Sequence, residues 1–304
     1  MTTATKKVDT KKVANHWDTF GAAPPKQWLH SMYLRRKVLL DPLQWHGGCW
    51  FNWLQRTYFQ EPAGKVLSLC CGSGRHERRM AQVGIGNKIV GLDISDGQLE
   101  RARIEGEKAG YGDILEYRQS NIQQDTLPEN EYDFIIVVAG LHHLIRLPHV
   151  LEQVHKSLKP DGLFAMTEYV GADHMDYPPH VRSSYQNMLL SIPEEKRLRE
   201  SNRGTLIRAG QQTREQAIAR DPSEGVNSSQ IMNNIRKFFE IDVEVEMGSS
   251  LLREVFYDII GNFDDDDEKD NEVIDRIIDV DRSLRKAGIL SNDHVFGTYR
   301  PKLL

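Results

Sequence analysis

Two groups of residues in this chain have the types and spacing to do chemistry. The first is a small-residue turn, Cys71-Gly72-Ser73-Gly74, which closes a short apolar run and opens a helical stretch. Such a turn lets the backbone approach a ligand closely, and a helix start offers unsatisfied N–H groups. About twenty residues on, a second apolar run ends at Asp93, where a carboxylate can accept hydrogen bonds from ribose hydroxyls. No third glycine completes a dinucleotide pattern, and Glu77 would serve a pyrophosphate poorly. A ligand with an adenosine end and no phosphates fits better.

The second group is His142-His143 with Glu168-Tyr169. Imidazole is the natural proton acceptor near neutral pH. His142 is the expected base, since it comes first after its strand, while His143 is expected to point away to pack or cap. Glu168 would bind a substrate amine or hydroxyl, or orient a histidine, with Tyr169 beside it. His142, Glu168 and His174 could supply a metal site, but nothing in their spacing demands one, and no metal is assigned. The acidic run 264–268 (DDDDE) lacks the spaced ligands and glycine of a calcium loop and reads as a solvated helix start. Cys70-Cys71 is a poor redox pair, because vicinal cysteines form strained disulfides.

These groups need a scaffold that brings strand ends together. Apolar runs at 65–70, 88–92, 115–118, 133–138 and 163–169 alternate with helical patterns at 76–84, 95–110 and 147–158, with a turn at 159–162. That rhythm argues for βαβ units and a doubly wound sheet. The run DFIIVV at 133–138 suits a central parallel strand covered on both faces. Residues 171–225 break the rhythm and read as an insertion that caps the substrate, with a helix at 183–199. Helices follow at 228–239, 251–260 and 272–287, with strands at 241–247 and 294–300, the last read as a closing edge strand. Residues 1–14 read as a flexible tail. Residues 15–60 hold all five tryptophans, broken by Pro24-Pro25 and Gly47-Gly48, and read as an aromatic-rich helical lid. The core then spans 61–170, and 226–304 complete the sheet around a helical insertion at 250–290.

The chain has 304 residues, 39% hydrophobic and 27% charged, with formal net charge −5, which excludes wholesale disorder. No basic tract marks a nucleic-acid footprint. Three cysteines, two of them adjacent, suit a reducing compartment rather than a disulfide framework. No signal peptide and no apolar run of membrane-spanning length is read, so a cytoplasmic protein with no membrane partner is expected.

The stretch Val66-Leu67-Ser68-Leu69-Cys70-Cys71-Gly72-Ser73-Gly74 resembles the first motif of class I S-adenosylmethionine-dependent methyltransferases, usually V-L-D-L-G-C-G-T-G. Gly91-Leu92-Asp93-Ile94-Ser95 resembles the ribose-binding motif, and Ser120-Asn121-Ile122 sits where the family contacts adenine. Tyr132-Asp133-Phe134 with Leu141-His142-His143-Leu144 is similar to the fourth motif, and 158–163 to the turn before strand five. Further pieces resemble a bacterial subgroup found beside polysaccharide and natural-product genes: Glu168-Tyr169-Val170-Gly171, Asp221-Pro222-Ser223-Glu224, Ser228-Ser229 and 259–264. Ser68 stands in place of the family's acidic residue and Cys70 in place of its first glycine.

The resemblance implies an α/β fold, a Rossmann-like doubly wound seven-stranded methyltransferase sheet with an N-terminal helical lid and helical insertions. It implies S-adenosylmethionine as cofactor, with S-adenosylhomocysteine as product. The implied cofactor set is Ser68, Cys70, Gly72, Ser73, Gly74, Asp93, Ile94, Gln98, Asn121, Ile122 and Ala139, with Tyr33 and Arg35 reaching in from the lid. The expected reaction is methylation of an oxygen or nitrogen of a small molecule by a monomer or homodimer. A non-catalytic cofactor-binding protein and a methyltransferase acting on a peptide or protein stay open as alternatives.

Overall fold

The computed structural model describes residues 10–19, 26–210 and 213–303. The Pro24-Pro25 break and residues 1–9 of the expected tail lie outside them. Helix α1 (Thr10–Thr19) takes up the rest of that tail, so residues 10–14 are helical. Helices α2 (Met32–Arg35) and α3 (Trp50–Tyr58) follow, then the alternating core. Strand β1 (Val66–Leu69), α4 (Arg75–Val83), β2 (Ile89–Asp93), α5 (Asp96–Lys108), β3 (Leu115–Gln119) and β4 (Tyr132–Val138) come next. The core ends with α6 (Leu147–Ser157) and β5 (Leu158–Tyr169). The first insertion carries α7 (Pro179–Leu190) and α8 (Arg214–Arg220), shorter than the helix expected over 183–199. Then come α9 (Ile231–Phe238), β6 (Phe239–Gly248), α10 (Ser250–Phe256), α11 (Glu268–Lys286) and β7 (His294–Pro301).

Among the described residues the sheet has seven strands in the order β3-β2-β1-β4-β5-β7-β6. Strands β1 to β5 pair in parallel, and β7 runs antiparallel between β5 and β6. The strand order reverses between β1 and β4, which opens the crevice where ligands bind in α/β sheets. The apolar run of β4 splits by alternation. Phe134 and Ile136 join a core cluster with Met80, Leu99 and Ala102 of α4 and α5. Ile135 and Val137 join one with Val150, Leu151 and Val154 of α6 and Ile231 and Ile235 of α9. Both faces are covered, as a continuous apolar parallel strand requires.

Two strand readings need correction. Strand β7 is not a closing edge: Val295, Phe296 and Tyr299 are buried, and β6 takes the edge. The expected turn at 159–162 is drawn into an irregular start of β5, whose register against β4 shifts between Tyr132 and Phe134. Much of the aromatic segment is core. Trp28, Trp50, Phe51 and Trp53 are buried against the β4 face, with Phe296 edge-on to both Trp50 and Trp53. The acidic run is more than a solvated face: Asp267 caps α11, and Asp265 accepts hydrogen bonds from Ser31 and from the Met32 and Tyr33 amides.

Candidate active site

The carboxyl ends of β2, β1, β4 and β5 carry one continuous set of contacts. After β1 the chain turns sharply, with positive φ at Cys70 (55°), Gly72 (53°) and Gly74 (73°). Cys70 is a non-glycine residue in left-handed backbone, which explains why the related motif has glycine there. A Cβ on Gly74 would overlap the Tyr117 hydroxyl and lie 2.8 Å from the Ala102 Cβ, which with the positive φ favours glycine. The Asp93 carboxylate holds this turn, accepting hydrogen bonds from the Gly72 amide at 2.8 Å and the Ser95 amide at 2.9 Å. Burial pushes the Asp93 carboxyl up, and the amides of Ser95, Gly72 and Ile94 pull against it. Ser73 accepts from Arg78 through its carbonyl. Burial, with Asp93 and Glu168 nearby, pushes the Cys70 thiol well up, so it stays protonated.

Ser68 does not face this cleft. It is buried, and its hydroxyl donates to Glu77 of α4 beneath the turn. Burial raises the Glu77 carboxyl to about 7 despite that bond, and its Oε2 has no hydrogen-bond partner. The carboxylate missing from position 68 is thus supplied from the helix.

Asn121 closes a turn, its side-chain oxygen accepting from Gln123, beside buried Ile122. The Ile94 carbonyl accepts from Gln119, and Ala139, with φ 52°, is exposed at the end of β4. Gln98 donates to the Trp17 carbonyl at 2.8 Å, which ties α5 to α1. Asp18 accepts from the Ser95 hydroxyl and, at 3.1 Å, from the Gly97 amide. The Trp17 ring meets His143 edge-on, with centroids 5.3 Å apart. Helix α1 therefore bridges the Asp93 end and the histidine end. Tyr33 is turned elsewhere, its hydroxyl donating to Asp275 of α11 at 2.7 Å. Arg35 keeps a buried Nε without a hydrogen-bond partner and lies near Arg75, at the start of α4.

At the β4–β5 end, His142 and His143 stand side by side, with ring centroids 4.1 Å apart. His143 was expected to turn away; instead its Nδ1 lies 3.0 Å from the Ser223 hydroxyl, which donates to Asp221 at 2.7 Å. His142 Nδ1 bonds to Glu168. Glu168 also accepts from the amides of Gly140, Leu141 and Tyr169 and is 2% exposed, so its carboxylate is engaged by His142 and the backbone. Tyr169 is likewise turned inward, bonding to the Ala172 carbonyl and the Tyr177 hydroxyl. Glu224 lies 3.8 Å from His142 Nε2.

Burial opposes a charge on His142, but Glu168 and Glu224 outweigh it and raise its pKa. Burial and the neighbouring His142 lower His143 to about 4. Burial pushes Glu224 up, yet His142, His143 and Arg253 hold it down at about 2.

Sequence reasoning gave no role to Asp221, Ser223, Glu224 or Arg253. The first three lie in the Asp-Pro-Ser-Glu piece of the polar insertion. Asp221 and Ser223 are 2% exposed in a segment with few apolar residues, and that burial has no local signal.

Residues 67–166 match the family model described as a methyltransferase domain. A sterol 24-C-methyltransferase of Yarrowia lipolytica is 34% identical over 116 residues, 38% of this chain and 30% of that protein. A demethylmenaquinone methyltransferase of Symbiobacterium thermophilum is 29% identical over 126 residues, 40% of this chain and 50% of that protein. The chain thus spans a third to a half of the length of these curated relatives. The fold is that of phosphoethanolamine N-methyltransferase 2 of Haemonchus contortus, solved in complex with S-adenosyl-L-methionine. That match has a TM-score of 0.54 and 15% identity, and covers 98% of this chain and 61% of the other. No helix among the described residues is long and apolar enough to cross a membrane.

Proposed function

We propose that the chain transfers a methyl group from S-adenosylmethionine to an oxygen or nitrogen of a small molecule. The observation that carries this reading is the contact series along four strand ends. Asp93 holds the Gly72 turn at one end, and two imidazoles stand at the other, His142 fixed by the Glu168 carboxylate and His143 by the Ser223 hydroxyl. The cofactor's ribose would take the remaining acceptor capacity of Asp93, and its adenine would lie toward Asn121 and Ile122. The half-buried Arg35, near Arg75 at the start of α4, suits its carboxylate. The sulfonium methyl would then point toward the His142–His143–Glu224 pole, where the acceptor sits and its proton is taken up. In-line positioning of acceptor and methyl group supplies much of the rate.

A small acceptor is favoured because Trp17 of α1 lies over this pole. The names of the relatives point to small-molecule acceptors too, a sterol methylated on carbon and a demethylmenaquinone, so they support the size of the acceptor and not the atom methylated. The pieces that resemble the bacterial subgroup converge here too: Glu168 orients His142, and Asp221 and Ser223 hold His143. Methyl-tritiated cofactor tests the reading. Label should pass to a small-molecule fraction of a cell extract, and transfer only to macromolecules would refute it.

A further inference from the structure

We propose that His142, His143 and Glu224 form a binding site for a divalent first-row transition-metal ion at the acceptor pole. One ligand atom from each lies within 4.8 Å of the other two. Each ring is fixed through Nδ1, His142 on Glu168 and His143 on the Ser223 hydroxyl. These bonds select the tautomer whose Nε2 carries the lone pair, which is how metal-binding histidines are held. Glu168 is in turn pinned by three backbone amides, and Ser223 by Asp221. The site thus has both its ligands and the groups that orient them.

The group weighed from sequence, His142 with Glu168 and His174, is not the one the fold assembles. Glu168 occupies the wrong nitrogen, and His174 Nδ1 lies 2.9 Å from the Glu224 carbonyl.

Charge points the same way. Glu168, Asp221 and Glu224 surround the two rings, and the half-buried Arg253, which lies near Glu224, is already ion-paired with Glu254 at 2.8 Å. With both imidazoles neutral, the carboxylates outnumber the cations here, and a dication offsets that excess. Two imidazoles and one carboxylate suit ions of the zinc, iron and cobalt kind rather than magnesium or calcium. Such ions hold nitrogen and oxygen at about 2.0–2.2 Å, so loading draws the three side chains together by about an ångström.

The ion's role rests on the methyl-transfer reading, whereas its binding does not. With the ion bound, the ion replaces direct proton uptake by the imidazoles: an acceptor hydroxyl oxygen would take an open position on it and lose its proton to water. The oxygen lone pair then forms the bond to the methyl carbon as the S–C bond breaks. That electron pair returns to sulfur, leaving the thioether.

Cobalt(II) added to the chelator-treated full chain tests the site. One equivalent should bind, with d–d absorption and two exchangeable hyperfine-shifted imidazole N–H resonances, one per ring. Glu168→Gln should weaken cobalt binding roughly 10–100-fold, the effect of losing an orienting partner. His143→Ala and Glu224→Gln should each cost more. Cofactor affinity by calorimetry, unchanged in all three, shows that they fold. A wild-type chain without the two N–H resonances, or variants that bind cobalt as the wild type does, would overturn the site. Cobalt bound without any methyl transfer would leave the site standing and sink the enzymatic reading. Full methyl transfer in chelator, with no cobalt bound, would do the reverse.

Discussion

Replacing Glu77 with glutamine should stabilise the protein strongly at pH 8 and by under about 1 kcal/mol at pH 5. Glu77 is fully buried under the Gly72 turn, with Ser68 on one oxygen and no partner on the other. Burial lifts its carboxyl from 4.5 to about 7. A carboxyl whose pKa is higher in the folded state binds more protons there, so stability falls as pH rises through the window between the two values. The loss begins near pH 4.5 and is complete a little above pH 7. At 1.36 kcal/mol per pKa unit it amounts to about 3 kcal/mol.

Glutamine keeps an oxygen to accept from Ser68 and carries no charge, so it mimics the protonated acid at every pH. With an unfolding entropy of about 2.1 cal/mol/K per residue, 3 kcal/mol corresponds to roughly 5 °C in Tm for a chain of this length. Thermal unfolding of both proteins by circular dichroism between pH 5 and 8 reads the difference, in which other titrations cancel. Melting temperatures that run parallel across this range would refute the reasoning.

Ser68→Asp, which restores the acid usual in the related motif, should destabilise the fold by about 3 kcal/mol or more, since it buries a second carboxylate against Glu77. Adding Glu77→Gln should recover much of that loss, and chemical denaturation of the single and double variants measures the coupling. Asp18→Ala removes the acceptor for Ser95 and Gly97 and should cost about 1 kcal/mol, seen as roughly fivefold faster amide exchange in α1. Cofactor should slow exchange in α1 if that helix closes over the cleft. His143→Ala should lower turnover by roughly 100-fold or more while cofactor affinity stays within about threefold, read by steady-state kinetics and calorimetry.

Legibility in the sequence followed the range of the interactions. Strands β1, β2 and β4 and the residues Gly72, Gly74 and Asp93 were readable because each signal lies within a few residues: an apolar run, then a small-residue turn or an acid at its end. The place of β7 was not. Its alternation looked like an edge, and only pairing with β5 and β6 on either side buries Val295 and Tyr299. His142 and His143 could be picked out by type, but not their orientation. That depends on Glu168, 26 residues on, and on Ser223, 80 residues on. Tyr33 was misplaced for the same reason, since its partner Asp275 is 242 residues away.

The central claim is that the Gly72–Asp93 end binds S-adenosylmethionine, and titration calorimetry on the wild type and Asp93→Ala tests it most directly. The wild type should bind S-adenosylmethionine and S-adenosylhomocysteine. Asp93→Ala should weaken both by roughly 1.5–3 kcal/mol, the range for a lost charge-assisted hydrogen bond. No heat with either ligand, or equal affinity in the variant, would contradict the account.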